Sequence, residues 1–378
     1  MPLFIELHLI QNFAPSNLNR DDTGAPKDAL FGGQRRARVS SQCFKRAMRL
    51  YSRQHQLIPE EYCALRTKKL QALLLERLVG RETQEAARKI EVALAAAGLK
   101  LKEEGKTEYL LFLGEREVAG FANLINDHWD QLQFSALSEK KSKKESKAAV
   151  APELAKQAKR ILDGGKAVDV ALYGRMLADL PQVNQDAACQ VAHAISTHRV
   201  ERDFDYFTAI DDVSHPGEIG AGMLGQIEFT SATFYRYAVL DLAKLLHNLQ
   251  NDQELTLLSV DALIQAMVRA IPSGKQNSFA AHNLPEFIGL SLRSSPLNLA
   301  NAFERPVQPN SSQSLTALSV TALSQYESKL APIYGHASDR WAHIDLTGQW
   351  QQPNSDSHTS IAELTQWVKE AIVSQWRK

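Results

Sequence analysis

The sequence predicts an α+β protein in which a long helical block interrupts a framework of strands and helices. Three stretches carry that expectation. Leu3 to Ile10 places Leu3, Ile5, Leu7 and Leu9 on one face of a strand, with Glu6 and His8 on the other. Residues from about 60 to 180 are rich in Ala, Leu, Glu, Lys and Arg at helical spacing, as in KKLQALLLERL and EAARKIEVALAAA. Beyond residue 225 the chain returns to alternating strand and helix patterns. At 378 residues it can bury a large core, and its length suggests two or three structural units.

The elements follow in order. After the first strand comes a polar, Gly-rich loop with Arg35, Arg36 and Arg38, which runs into a helix. At about 100° per residue, Phe44, Ala47, Met48, Tyr51 and His55 share one arc of that helix. Lys45, Arg49 and Arg53 form a stripe roughly opposite, with Arg46 at its edge, and Ser40 or Ser41 can cap the start. Pro59 punctuates the chain before the helical block. Asn184 is positioned to cap a helix through QDAACQVAHAIS, burying Val191, Ala194 and Ile195. Residues 198–226 alternate charge with aromatics and then become Gly-rich, the pattern of an extended arm or hairpin. Residues 226–240 read as a long strand with Ile227, Phe229, Thr233, Tyr235, Tyr237 and Val239 in one parity. Ser259 to Ile271 reads as an amphipathic helix, and IPSGKQNSFAAHNLPEFIGLSL as a Gly/Lys loop followed by a strand. Residues 294–315 are Pro/Asn/Ser-rich loop, and Ser360 with Glu363 is a capping-box signature for a terminal helix.

Composition narrows the function. Formal net charge is zero and the pI is about 7.2, so a nucleic-acid surface must be a local basic patch balanced by acidic surface elsewhere. Cys43, Cys63 and Cys189 are scattered and form no CxxC pair, which argues against a zinc ribbon or disulfide framework. No apolar run approaches 18 residues, and the apolar N-terminus lacks a basic n-region and a cleavage site. The expectation is a soluble, cytoplasmic protein with no membrane partner, no cofactor and no metal.

Asn19 to Arg53 concentrates positive charge beside Gly32–Gly33 and a helix N-terminus, a combination suited to holding phosphates. A solvated basic face is the alternative. The spacing is not GxxxxGK[ST], so nucleotide hydrolysis is not implied. In SEKKSKKESK, Lys140, Lys141, Lys143, Lys144 and Lys147 would share one side if helical, a rail for phosphates; otherwise the run is a solvated loop. Phe204, Tyr206, Phe207 and Thr208 on the arm either stack on bases or bury within a hairpin. Ser273-Gly274-Lys275-Gln276-Asn277 is a turn with exposed amides and one cation, a weak signal alone. Asp21, Asp22 and Asp28 raise metal-dependent nuclease chemistry, but Asp21 and Asp22 are adjacent without a clear partner pair. His193 and His198, five apart, do not share a helical face.

LNRDDTGAPKDALFGGQRRARVSSQCFKRAMR closely resembles the signature of the CasC family, the backbone subunits of type I-E CRISPR Cascade. ALYGRMLAD, AACQVAHAISTH, DYFTAIDD, GAGMLGQIEF and IPSGKQNSFAAH match the same family in the same order, over nearly the whole chain. The resemblance implies an RRM/ferredoxin-like palm, a large helical fingers insertion and a protruding β-hairpin thumb. The corresponding ranges are 1–58 (palm), 59–182 (fingers), 183–197 (palm helix), 198–224 (thumb) and 225–378 (palm). It implies a non-catalytic subunit that polymerises head to tail on crRNA, six copies to a complex, with other Cascade subunits and target DNA as partners. Each thumb displaces one guide base at regular intervals.

By that resemblance Lys27, Arg38, Lys45 and Arg49 match guide-backbone contacts of the palm. Phe207 and Thr208 match the thumb at the kinked guide position, and Met176 the fingers residue that meets the displaced base. Lys140, Lys141, Lys144 and Lys147 match a DNA-guiding helix. The physical reading adds Arg35, Arg36, Ser40, Gln42, Arg46, Arg53, Lys275, Gln276 and Asn277 to the crRNA-binding set. The alternative is a ribonuclease like the type III backbone subunits, using Asp21 or Asp22; type I-E backbones are not nucleases, so these carboxylates are expected to be structural.

Overall fold

A computed structural model describes residues 2–132, 152–162, 165–177, 180–209, 223–337 and 339–377. The chain divides into two compact units. The first comprises residues 1–54, 190–242 and 260–378, the second residues 55–189 and 243–259.

The first unit is built on a mostly antiparallel sheet. Its strands are β1 (Phe4–Ser16), β2 (Asp28–Phe31) and β3 (Gln34–Val39). Helix α1 (Ser41–Gln54) follows. In the second unit come β4 (Ala64–Thr67), α2 (Leu70–Arg77), α3 (Thr83–Ala97), β5 (Leu111–Gly114), α4 (Glu115–Asp127), α5 (Pro152–Ile161) and α6 (Val168–Tyr173). Next are β6 (Cys189–Val191), β7 (Ala194–Ser196), β8 (Asp203–Ala209) and β9 (Met223–Asp241). Then follow α7 (Leu242–Asn248), α8 (Gln253–Arg269), α9 (Gln276–Phe279) and β10 (Phe287–Arg293). The chain ends with α10 (Leu315–Ile333), β11 (Arg340–Asp345), β12 (Ser355–Ser357) and α11 (Ile361–Trp376).

Among the described residues the main sheet runs β12-β11-β10-β1-β9-β7-β3-β2, with β6 and β8 also on β9. β1 lies between β10 and β9, pairing Phe4 with Arg293 on one side and with Asp241 on the other. Residues 5–11 of β1 and 232–240 of β9 are buried on both faces, so Phe234, Arg236, Ala238 and Leu240 are buried along with Tyr235 and Tyr237. One core holds Ile10, Tyr235, Phe287, Leu299, Val320, Leu323, Trp341 and Trp350.

Burying Glu6 on a central strand requires partners. Arg293 Nε donates to Glu6 Oε2 at 2.5 Å, Tyr237 Oη to Oε1 at 2.6 Å, and the Leu297 amide to Oε1 at 2.6 Å. Burial alone pushes this carboxyl upward, but hydrogen bonding and charge from His8, the Arg293 charge and the Tyr237 hydroxyl outweigh it and hold it at about 2.

The second unit has its own core, with Leu74, Ile90, Leu94, Phe121, Ile125, Leu154, Ala158 and Leu162. In its interior Arg175 Nη1 pairs with Glu117 Oε1 at 2.8 Å. Arg175 also donates to the carbonyls of Leu162 and Val183, at 2.9 and 3.1 Å.

Several expectations are corrected. Residues 183–197 are not a palm helix; they contain β6 and β7, and β7 pairs with both β3 and β9. A helix there would leave the inner edge of β3 without that partner, so sheet pairing overrides the helical pattern. Asn184 starts no helix; its Oδ1 accepts from the Leu177 amide at 2.5 Å. The helical block also contains an antiparallel pair, β4 with β5. α8 starts at Gln253 rather than Ser259, and a one-turn helix, α9, follows the Gly/Lys turn. His55 is exposed just past α1 rather than on its buried arc. The capping expectation for α11 is met in half: the Ser360 hydroxyl accepts from the Glu363 amide at 3.2 Å, while the Glu363 carboxylate accepts from the Thr359 amide at 2.8 Å.

Candidate nucleic-acid interface

Three pieces of the first unit converge on one surface: the loop before β2, the start of α1 and the turn before α9. Ser40 caps α1, its Oγ accepting from the Cys43 amide at 3.3 Å, while Asn19 Oδ1 accepts from the Ser40 amide at 2.9 Å. The Ser40 hydroxyl is therefore part of the helix cap. Phe44 and Met48 face the core, and Gln42, Arg46, Leu50 and Arg53 are exposed. Lys45 and Arg49 are half-buried at the margin. The solvent row thus centres on Arg46, one position round from the stripe expected. A cavity of about 690 Å³ joins Arg20, Arg46, Leu50 and Tyr51 to Pro272, Ser273 and Gly274. Two motifs far apart in sequence meet there.

Lys27 sits beside Arg38: the Arg38 amide donates to the Lys27 carbonyl at 2.9 Å. Arg38 Nε donates to the Asp28 carbonyl at 3.1 Å, and its Nη1 donates to Nδ1 of His193 at 2.9 Å. Burial, then the charges of Arg38 and Lys27, push the His193 imidazole below its ordinary range, so it accepts from Arg38 as a neutral ring. Burial raises the Cys43 thiol, against the opposing charges of Arg46 and Lys27. Lys27 therefore lies within electrostatic reach of both the Arg38–His193 pair and the helix start. Lys27, Arg38 and Arg46 form a cationic surface, with His193 as a member that charge composition alone did not single out.

The other arginines divide. Arg36 leaves the candidate set. Its side chain is fully buried, donating to the carbonyls of Ser196 and Phe303 at 2.9 and 2.7 Å. The β-strand alternation of β3 explains this, since Arg35 and Arg36 must point to opposite faces. Arg35 is exposed and pairs with Asp28 at 2.7 Å; Arg202 joins Asp28 at 2.8 Å and Glu228 at 2.9 Å. The exposed Arg35 pair contributes about 0–1 kcal/mol, while the Arg202 pairs are part-buried.

Gly32 and Gly33 do not lie beside the α1 N-terminus. With φ of 57° and 72° they form the two-residue turn of the β2–β3 hairpin. The six residues of β3 put that turn roughly 20 Å from the helix. A two-residue Gly-Gly gap between DALF and QRRARV was the signal for it.

Lys275 is half-buried with φ of 51°, and Asn277 is exposed. Gln276 Nε2 donates to the Pro272 carbonyl at 3.0 Å, so this side chain shapes the turn. Asp21 also has a local role: its Oδ1 accepts from the Thr23 amide and hydroxyl and from the Ala25 amide, at 2.9, 2.7 and 3.0 Å. The Thr23 hydroxyl is the main cause of its lowered carboxyl. Among the described residues no cluster of His, Cys, Asp or Glu could hold a metal ion.

β8 and β9 form a ribbon in which Asp203 pairs with Phe229 and Ala209 with Met223. Every residue of β8 is exposed, Tyr206 at 69%. The Phe207 ring lies over Gly225, where a Cβ would overlap it. Thr208 lies on the opposite face of the strand from Phe207, beside Tyr206 and Phe204 in parity. Phe204, Tyr206 and Phe207 are all exposed on this ribbon. In the second unit Met176 is 83% exposed, immediately after the buried Arg175. Lys140, Lys141, Lys144 and Lys147 lie outside the described residues.

The fold is α+β, with a cationic helix start and an exposed aromatic ribbon. The chain belongs to the CT1975-like protein family, whose sequence model matches residues 5–369. Among solved structures it is similar to a chain of "CRISPR RNA-guided surveillance complex, pre-nicking", with 29% identity, a TM-score of 0.84, and 97% and 99% of the two chains covered. It is also similar in fold to a chain of "CRISPR RNA-guided surveillance complex", with 24% identity, a TM-score of 0.72 and the same coverage. A search of curated protein sequences finds no match. No helix among the described residues is long and apolar enough to cross a membrane.

Proposed function

We propose that this chain is a non-catalytic crRNA-binding backbone subunit of a type I-E Cascade, of the CasC kind. In this reading it assembles head to tail along the guide, kinks it periodically with the β8–β9 ribbon and presents it to target DNA. The observation that carries the reading is the cationic surface of Lys27, Arg38 and Arg46, half-walled by Lys45 and Arg49. Point charges and a guanidinium hold phosphates without reading bases. Sequence is then left to pairing between guide and target, the division of labour described for RNA-guided effectors. Family membership and the likeness to the pre-nicking surveillance complex support the same conclusion.

The ribbon fits a wedge. Its aromatics are exposed on a segment whose base is held by the Arg202 pairs with Asp28 and Glu228. The Asp21 hydrogen bonds favour a structural role over the ribonuclease alternative, because its Oδ1 is already engaged within its own loop.

Affinity purification of the tagged chain from cells carrying a CRISPR array tests this. Discrete crRNA and several further subunits are expected to elute together as one large particle. Elution as a monomer with heterogeneous RNA would sink the backbone role. Addition of Mg²⁺ and complementary RNA to that particle should leave the RNA intact; cleavage lost on Asp22→Ala would establish the enzyme instead.

A further inference from the structure

The second unit contains a basic cleft lined by none of the candidate binding residues above, and we propose that it binds the phosphate backbone of a single-stranded nucleic acid. The proposal takes from the reading above only that the relevant polyanion is a nucleic acid. The cleft has a volume of about 840 Å³. Lys156, Lys159 and Arg160 of α5 line it with Lys244 and His247 of α7, and Asp186 is the one acidic residue among its lining. Four lysine and arginine side chains thus line it with one aspartate, in a chain whose formal charge is zero. A concave surface lined by one sign of charge focuses the field and concentrates counter-ions.

The placement of these cations follows from α5. Leu154 and Ala158 are buried, and the i, i+3, i+4 set Lys156, Lys159 and Arg160 is exposed. The opposite wall is held rigidly. Asn248 Nδ2 donates to the carbonyls of Asp186 and Ala171 at 2.9 and 3.0 Å, and Gln185 Nε2 donates to the Asn248 carbonyl at 3.2 Å. Lys166 ties to Asp252 at 3.0 Å. Little ordering is then needed on binding.

The lining also argues for phosphates rather than bases. It contains no Phe, Tyr or Trp on which a base could stack. One acceptor is set apart: Gln185 Oε1 lines the cleft, is buried, and has no hydrogen-bond partner among the described residues. A sugar hydroxyl would satisfy it.

The test uses the full chain and fluorescence anisotropy with labelled oligo(dT) and oligo(rU) over a range of salt. Lys156→Ala/Lys159→Ala/Arg160→Ala should lower affinity about tenfold or more and flatten the salt slope by about 0.7 per lost phosphate contact. Lys156→Arg/Lys159→Arg should retain binding. The oligo(dT) and oligo(rU) arms decide whether the cleft prefers target-like DNA or guide-like RNA. In the unmutated chain, bound oligonucleotide should protect Lys156 and Lys159 from acetylation, a readout independent of variant folding. Unchanged affinity and slope in both arms, or absence of protection, would overturn the cleft. Lys45→Ala/Arg49→Ala in parallel reports on the first unit; loss there with an unaffected triple variant leaves the palm reading standing and removes this one.

Discussion

Arg36 and Arg38 are two residues apart and have different fates. Arg36 is a structural tie to Ser196 and Phe303, whereas Arg38 stands at the surface against His193. Arg36→Ala should therefore lower stability by about 2–4 kcal/mol, since carbonyls are left unpaired beside a cavity. Arg38→Ala should leave the melting temperature within a few degrees and weaken RNA binding. Equal melting losses in the two variants would contradict this division. The sequence showed the arginine cluster but not which member was buried: alternation separates Arg35 from Arg36, but Arg36 and Arg38 share a face, and only the Ser196 and Phe303 carbonyls, distant in sequence, set them apart. His193 was visible as a candidate for catalysis; its role beside Arg38 emerged only when the expected helix became β6 and β7.

His198 adds a pH prediction. Its Nδ1 donates to the Arg199 carbonyl at 2.8 Å and its Nε2 accepts from the Thr233 amide at 3.1 Å, so the neutral ring is required. Burial pushes His198 down, as it does His193 and His343, with the nearby Arg36 charge adding to the effect at His198. A depressed imidazole stabilises the fold above its unfolded value of about 6.5 and loses that contribution as pH falls below it. Thermal unfolding should thus be flat from about pH 7 to 8 and decline below about 6.5. His198→Gln should shrink that first decline. A melting temperature constant down to pH 5 would contradict the assignment.

At the scale of elements, the β8–β9 ribbon exposes Phe204, Tyr206 and Phe207, and the turn after Arg175 exposes Met176. An isolated two-stranded ribbon is marginal in water, so this one depends on β9 continuing into the sheet. Phe207→Ala should leave the fold intact and abolish the periodic pattern in chemical probing of bound guide; an unaltered pattern would remove the wedge. Arg175→Ala leaves Glu117 buried without its cation and should cost about 3–5 kcal/mol in the second unit. A melt indistinguishable from the parent would refute that. The long strand and the arm were legible from alternation and from aromatics on a polar segment. The β4–β5 pair was not, because its four-residue strands sit inside a region whose composition favours helix.

For the whole molecule, the α+β framework with a helical interruption was legible from the change of period along the chain, and the cationic surface from local charge within a neutral total. The meeting of α1 with the Ser273–Gly274 turn was not, since nearly 220 residues separate them and only the fold encloses the cavity between them. The account holds that this surface grips a guide through its phosphates and ignores its bases. The most direct measurement is the affinity of the chain for two unrelated guide RNAs across salt, for the parent and for Lys45→Ala/Arg49→Ala. The account predicts the same affinity for both guides. It also predicts an equal loss in the variant, with the salt slope flattened by about 0.7 for each phosphate contact removed. A strong preference for one guide, or a variant with unchanged affinity and slope, would contradict it.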